Sequence, residues 1–203
     1  MPCTIDRSTI DAIIAFHGHS CPGLAIGIRA AELALQELGP PESTDMVAVV
    51  ETDMCGVDAI QFLTSCTYGK GNLIHKDYGK MAFSFYDRTT GKGLRALMRP
   101  DARGDMDNEL GALMRKIAEG TATEADKARN AELRDALQQR FLDLPLNEMF
   151  DVTPPREPAP SPARILESLV CESCGEKTME SRTRRFGGKA LCIPCFREVE
   201  QKI

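Results

Sequence analysis

Apolar and polar positions alternate along this chain with two different periods, and the change of period divides the sequence into elements. From Ser8 to Phe16, Ile10, Ile13, Ile14 and His17 recur at spacings of three and four, which predicts a helix with Ser8 as its N-cap. Leu24, Ile28, Ala31, Leu35 and Leu38 mark one face of a second helix, stopped by Gly39-Pro40-Pro41. Met46 to Val50 is an unbroken apolar, β-branched run and reads as a buried strand. Val57 to Leu63 reads as a short helix, with Cys55 and Gly56 at its start and Asp58 in its first turn. His75 falls at a strand end. Met81 to Asp87 and Leu94 to Met98 read as strands joined through the glycines of Arg88 to Gly93. Two charged helices follow, Asp105 to Ile117 and Thr123 to Phe141. The first shows Leu110, Leu113, Met114 and Ile117 on one face, the second Ala128, Ala131, Leu137 and Phe141. Thr123 and Asp126 stand at the spacing of a capping box. Such narrow stripes suit packing against a core or a second subunit. The pattern predicts an α+β fold of mixed helices and antiparallel strands.

Composition adds boundaries to this picture. At 203 residues the chain can bury one sizeable core and carry a small appendage. Thr153 to Pro162 (TPPREPAPSP) is half proline, which predicts a stiff, extended linker rather than a packed element. The expected organisation is therefore a core over residues 1–152, a linker over 153–162 and a tail module over 163–203. No apolar run is long enough to span a bilayer, and Asp6, Arg7 and Asp11 stand where an export signal would be apolar. A cytoplasmic protein without membrane contact is expected. Eight cysteines in such a chain point to metal or redox chemistry more than to disulfides. A net charge of −5 argues against electrostatic nucleic-acid binding by the chain as a whole.

The tail carries the most specific motif. Cys171-x2-Cys174 and Cys192-x2-Cys195 are separated by seventeen residues, a spacing that offers four thiolates to tetrahedral zinc. So short a module cannot bury enough apolar surface to fold alone, and metal binding supplies the difference. Arg182 to Lys189 reads as a hairpin around Gly187-Gly188, and Pro194 to Gln201 as a closing helix that carries Cys195. Knuckle, hairpin and ligand-bearing helix are the order of a treble-clef finger. Four protein ligands leave zinc no open position, so its role is structural. Arg182, Arg184, Arg185 and Lys189 form a basic cluster, but six glutamates in the module dilute its field, and nucleic acid is not the expected partner.

A second constellation lies in the core. Of three histidines in the chain, two stand one residue apart in His17-Gly18-His19-Ser20-Cys21-Pro22-Gly23. In an extended loop, residues two apart share a side, so His17, His19 and Cys21 could converge. Cys21 and Cys55 each precede a helix, where the dipole favours a thiolate, the form that ligates metals and attacks electrophiles. Cys66 follows the short helix and leads into Tyr68-Gly69-Lys70-Gly71-Asn72, a turn able to receive an anion through Lys70 and the amides of Gly69 and Gly71. That turn lacks P-loop spacing, so no nucleoside triphosphatase is predicted.

With these residues in view, the chain resembles the FmdE family of formylmethanofuran dehydrogenase components, through FHGHSCPG (Phe16 to Gly23), DMCGVDAIQ (Asp53 to Gln61) and SCTYGKGNL (Ser65 to Leu73). The likeness covers residues 1 to about 150, and the finger matches the longer members. Ser65 stands where the family pattern has glycine. The resemblance implies an FmdE-like α+β core, an intertwined homodimer and association with a molybdenum or tungsten enzyme. It maps a core metal or cofactor site onto His17, His19, Cys21, Cys55 and Cys66, with Lys70, Asp53, Asp58 and Gln61 in support.

Two chemistries compete for that site. In one, nitrogen and sulfur ligands hold zinc or another late transition metal, Asp53 orients an imidazole, and a small anionic ligand or cofactor docks nearby. In the other, Cys55 is a catalytic nucleophile assisted by His17 and by Asp53 or Asp58. A third reading makes the chain a binding module that acts through its finger.

Overall fold

The computed structural model describes residues 2–41 and 45–200. It divides into two compact units, residues 1–162 and 163–203.

In the first unit the chain runs α1 (Arg7–His17), α2 (Pro22–Leu38), β1 (Met46–Val50), α3 (Gly56–Thr64), β2 (Leu73–His75), β3 (Ala82–Asp87), β4 (Gly93–Met98), α4 (Met106–Ala118), α5 (Glu124–Asp143), α6 (Leu146–Met149) and β5 (Phe150–Thr153). The five strands form one sheet in the order β2-β1-β3-β4-β5. β1 pairs with β2 in parallel and with β3 antiparallel, and β4 pairs antiparallel with both its neighbours. The α+β class holds, with one parallel pair that the pattern did not announce.

Alternation along the strands sorts the two faces of the sheet. Ala48, Val50, Phe83, Phe85, Leu94, Ala96 and Phe150 join the main hydrophobic core with α2 and α5. Val47, Val49 and Tyr86 form a smaller cluster on the other face. Helix α2 is buried nearly all round rather than along one stripe. Its alanines allow this, and its two buried charged residues, Arg29 and Glu32, pair internally. Arg29 donates to Glu32 Oε2 at 2.5 Å and to the Leu144 carbonyl at 2.7 Å, while Glu32 Oε1 accepts from the Thr4 hydroxyl at 2.6 Å.

Several local expectations change. The N-cap of α1 is Asp6, which accepts from the Thr9 amide, whereas Ser8 lies inside the helix and donates to Asp6. A carboxylate cap adds charge complementarity at the dipole's positive end, which a hydroxyl lacks. In α5 the inward residues are Leu133, Leu137 and Phe141; Ala128 and Ala131 are exposed. Met114 and Ile117 of α4 also face outward, at 50% and 40% exposure. The capping box at Thr123 and Asp126 is present in both directions.

The proline-rich stretch departs furthest from expectation. Thr153 ends β5, and residues 155–161 lie across the outer face of the sheet as part of the first unit. Tyr86 donates to the Glu157 carbonyl at 3.2 Å, Lys76 pairs with the Glu157 carboxylate at 2.5 Å, and Arg88 donates to the Pro160 carbonyl at 2.7 Å. Extended, proline-rich backbone leaves its carbonyls unpaired, and sheet residues with long polar side chains satisfy them.

The second unit runs β6 (Ser168–Val170), β7 (Lys177–Met179), β8 (Thr183–Phe186), β9 (Lys189–Cys192) and α7 (Ile193–Val199). β6–β7 and β8–β9 are antiparallel hairpins. The helix expected over Pro194 to Gln201 is found as Ile193–Val199, with Glu200 its extended C-cap and Gln201 outside the described residues. No described helix is long and apolar enough to cross a membrane.

Candidate metal centre

The core constellation is assembled by a close crossing of α2 and α3. A side chain on Gly27 would place its Cβ 2.0 Å from the Gly56 carbonyl oxygen, and one on Gly56 would meet the Gly23 oxygen at 2.7 Å. Only glycine on both sides permits that approach. Because Cys21 caps α2 and Cys55 precedes α3, the crossing brings the two helix starts together. Gly23 lies beneath them, its virtual Cβ 3.3 Å from Cys55 Cβ and 3.7 Å from Cys21 Sγ. The Cys21 sulfur accepts from the Leu24 amide at 3.4 Å, a capping contact of the helix N-terminus.

The imidazoles arrive from α1. His17 is its last residue, and Gly18, with φ of 93°, turns the chain so that His19 lies beside His17, the rings tilted by 40° with centroids 4.4 Å apart. One ligand atom from each of His17, His19, Cys21 and Cys55 lies within 4.8 Å of all the others. His17 Nδ1 contacts Asp58 Oδ2 at 2.7 Å. A carboxylate can only accept, so Nδ1 carries a proton, and in the neutral ring Nε2 bears the lone pair. That Nε2 is buried and has no hydrogen-bond partner among the described residues. Asp58 in turn accepts from Gln61 Nε2 at 3.4 Å, and Gln61 Oε1 accepts from the Tyr68 amide at 3.3 Å. A polar chain thus joins the imidazole to the glycine-lysine turn.

Burial, followed by the hydrogen bond and charge of the neighbouring Cys21, pushes the Cys55 thiol up from its ordinary value. The helix start alone therefore does not make Cys55 a free thiolate; the close pairing of two sulfurs opposes it. The donor set of two imidazoles and two thiols, with one nitrogen buried and unpartnered, suits a borderline metal such as zinc.

The remaining residues singled out from sequence lie outside this group of four. Cys66 is fully buried in the main core, where its thiol donates to the Met46 carbonyl at 3.4 Å and burial raises its pKa. It follows α3 and so leaves at the end of that helix opposite to Cys55. Asp53 is exposed, and it is Asp58, one turn into α3, that orients His17. Gly69 and Lys70 are exposed, and Gly71 takes a φ of 72° to close the turn. Ser65 adopts the left-handed region at φ 55°, a conformation that glycine takes without cost.

Sequence reading missed the Gly27–Gly56 contact and the exposed Phe16–Phe62 pair, whose centroids are 5.9 Å apart. Gly23 and Gly27, four apart on a helix otherwise rich in alanine and isoleucine, were the available signal for a close crossing.

In the second unit Cys171, Cys174, Cys192 and Cys195 gather in the same manner. The Cys171 sulfur accepts backbone amides, that of Cys192 among them at 3.3 Å, and is held down at about 6. The sulfurs of Cys192 and Cys174 beside it push the Cys195 thiol up to about 12.

Residues 16–151 match the family model described as FmdE, molybdenum formylmethanofuran dehydrogenase operon. The chain belongs to the FmdE family. Residues 164–201 match the prokaryotic dksA/traR C4-type zinc finger. This FmdE chain is 33% identical over 191 residues to a probable S-adenosyl-L-methionine-binding protein of Archaeoglobus fulgidus; the match takes in 89% of the chain and 50% of the relative. The chain thus spans about half the length of that curated relative. Among solved structures it resembles a tungsten formylmethanofuran dehydrogenase FmdE-like protein from Syntrophus aciditrophicus, with a TM-score of 0.62, 25% identity and full coverage of both chains.

Proposed function

We propose that His17, His19, Cys21 and Cys55 bind a transition metal ion, zinc or a close relative, and that the chain serves as a metal-binding accessory or redox-type component of molybdenum or tungsten formylmethanofuran dehydrogenase-like systems. The observation that carries this reading is the buried, unpartnered Nε2 of His17, its ring fixed by Asp58. An orphaned buried nitrogen costs free energy unless something binds it. A metal there would act as a Lewis acid or a structural clamp. The chain's own residues do the rest: Asp58 fixes the His17 ring, the crossing of α2 and α3 holds the sulfurs of Cys21 and Cys55 side by side, and Gln61 couples Asp58 to the Tyr68–Asn72 turn. Lys70 in that turn is the proposed receptor for a small anionic group. In the tail, the order of knuckle, hairpin and ligand-bearing helix supports a treble-clef finger with structural zinc. Outward-facing Met114 and Ile117 are compatible with a homodimer in a cytoplasmic setting.

The cysteine-nucleophile reading is the weaker of the two, because burial and the Cys21 thiol raise Cys55. Elemental analysis of the full chain, purified without added metal, tests the choice. Two metals per chain are expected, one of them lost in Cys55→Ser and both retained in Cys66→Ala. Asp58→Asn is expected to weaken the core metal by roughly 10–100-fold while sparing the finger's zinc. One metal per chain, unchanged by Cys55→Ser, together with stoichiometric alkylation of Cys55, would instead establish the nucleophile.

A further inference from the structure

The face of the sheet turned away from the helices carries a polar hollow that the metal centre does not use. Val49, Ser84 and Arg95 stand side by side on β1, β3 and β4, as the pairings Val49↔Ser84 and Ser84↔Arg95 require. They floor a cavity of about 260 Å³. Arg95 is 4% exposed and donates through Nε and one terminal nitrogen to the two oxygens of Glu51, at 2.7 and 2.9 Å. A buried ion pair on a sheet face stabilises no better than apolar side chains of the same size. Its presence here is better understood through what it faces.

One wall is the segment after β2. The Lys76 amide donates to the Val50 carbonyl at 2.9 Å and the Lys80 amide to the Glu51 carbonyl at 3.0 Å, which docks the segment on the end of β1. Lys76, Tyr78 and Lys80, two apart in sequence, line the cavity. The opposite wall is the proline-rich strap, through Arg156 and Glu157. Charges on the lining are unbalanced. Glu51 is satisfied by Arg95 and Glu157 by Lys76. Lys80 and Arg156 make no ion pair among the described residues, and Lys80 lies 5.9 Å from the centre of the Tyr78 ring. Both cations feel the Glu51 carboxylate of the floor, but the lining sets Lys76, Lys80, Arg95 and Arg156 against only Glu51 and Glu157, an excess of cations in a chain whose net charge is −5. The tyrosines at 78 and 86 supply ring faces, and low-dielectric walls strengthen the field inside.

We propose that this cavity binds a small dianion, a phosphate group or a pair of carboxylates, between Lys80 and Arg156 above the Arg95–Glu51 floor. The preformed cavity is suited to a ligand of a few heavy atoms. Recognition rests on charge, so it weakens with salt. Binding is independent of the His–Cys centre, which lies on elements of the opposite face.

Calorimetric titration of the full chain with inorganic phosphate and, separately, malonate, at fixed ionic strength in chloride, tests this. Saturable binding of at least one probe is expected, and the tighter of the two identifies the ligand chemistry. Lys80→Ala/Arg156→Ala should weaken it by roughly tenfold or more, with melting temperature and metal content unchanged. Lys127→Ala/Arg134→Ala, which removes two cations from α5, should leave it intact. Absence of saturable binding of either probe up to about 10 mM, or equal weakening by both double variants, would overturn the proposal. So would a second copy of the chain cross-linking across Lys80.

Discussion

The two sulfur clusters of this protein gather four ligand atoms within the same 4.8 Å and reach that arrangement by opposite routes. The core cluster sits on α1, α2 and α3, whose positions are set by a packed interior of leucine, isoleucine, alanine and phenylalanine. Its ligands converge because Gly27 and Gly56 let two helices touch. The tail cluster has no such support. Its buried residues among those described are Cys171, Leu191, Cys192 and Cys195, so the cysteines are themselves most of the core. A mixed nitrogen–sulfur site on a self-sufficient framework can lose its metal and keep its shape; a four-sulfur site without a framework cannot. On the function proposed above, the first would be a place for exchangeable chemistry and the second a structural staple.

The largest effect that would break this contrast is expected in the tail. Cys195→Ser removes a finger ligand, and apparent zinc affinity in such modules amounts to ~10–16 kcal/mol of folding free energy. Amide exchange across residues 168–199 should become unprotected, while protection in α2 and β3 persists. Loss of protection in both would show that the first unit is not self-sufficient.

A smaller effect probes whether packing and internal ion pairs, rather than metal, hold the first unit. Glu51→Ala leaves Arg95 buried and uncompensated, which costs about 3–5 kcal/mol in denaturant unfolding. Glu51→Ala/Arg95→Met should recover much of that loss. The Arg95 guanidinium holds the Glu51 carboxyl below its ordinary value in the folded chain. Because the folded value is the depressed one, the stabilisation is complete above the ordinary carboxylate range and is lost as pH falls through the folded value. The gap between wild type and Glu51→Ala should therefore narrow on acidification below about pH 4. A gap that widens there would assign the stability to another group.

The smallest change in stability has the sharpest consequence for the core centre. Gly27→Val drives a side chain into the Gly56 carbonyl and costs on the order of 1–3 kcal/mol through overpacking. Since α2 and α3 must separate, Cys21 and Cys55 part, and core metal should be lost while finger zinc stays. Retention of both metals would mean that the crossing does not position the sulfurs.

Legibility in the sequence differs between the two clusters. The tail can be read outright, because its four ligands lie in two local pairs and the spacing within each pair is itself the chelating geometry. The core can be read only in part. His17, His19 and Cys21 are neighbours in sequence, and two helix starts point to their convergence with Cys55. Proximity to Cys55 groups Cys66 with them, yet nine helical residues carry it to the far end of α3 and into the apolar interior. Asp53 stands in sequence as the carboxylate to orient an imidazole, a task that falls to Asp58 because the first turn of α3 points it at His17. The proline-rich stretch reads as a stiff, extended linker rather than a packed element, since composition reports stiffness and says nothing of the tyrosine, lysine and arginine across the sheet.

Sequence alone determined most of the elements (β5, α6 and the β6–β7 hairpin excepted), the α+β class, the finger and the types of ligand, for these follow from period, local spacing and side-chain chemistry. Tertiary structure decided which distant residues share a site. That choice depends on a backbone contact between two glycines, and a contact made by the absence of side chains leaves almost no trace in a one-dimensional pattern.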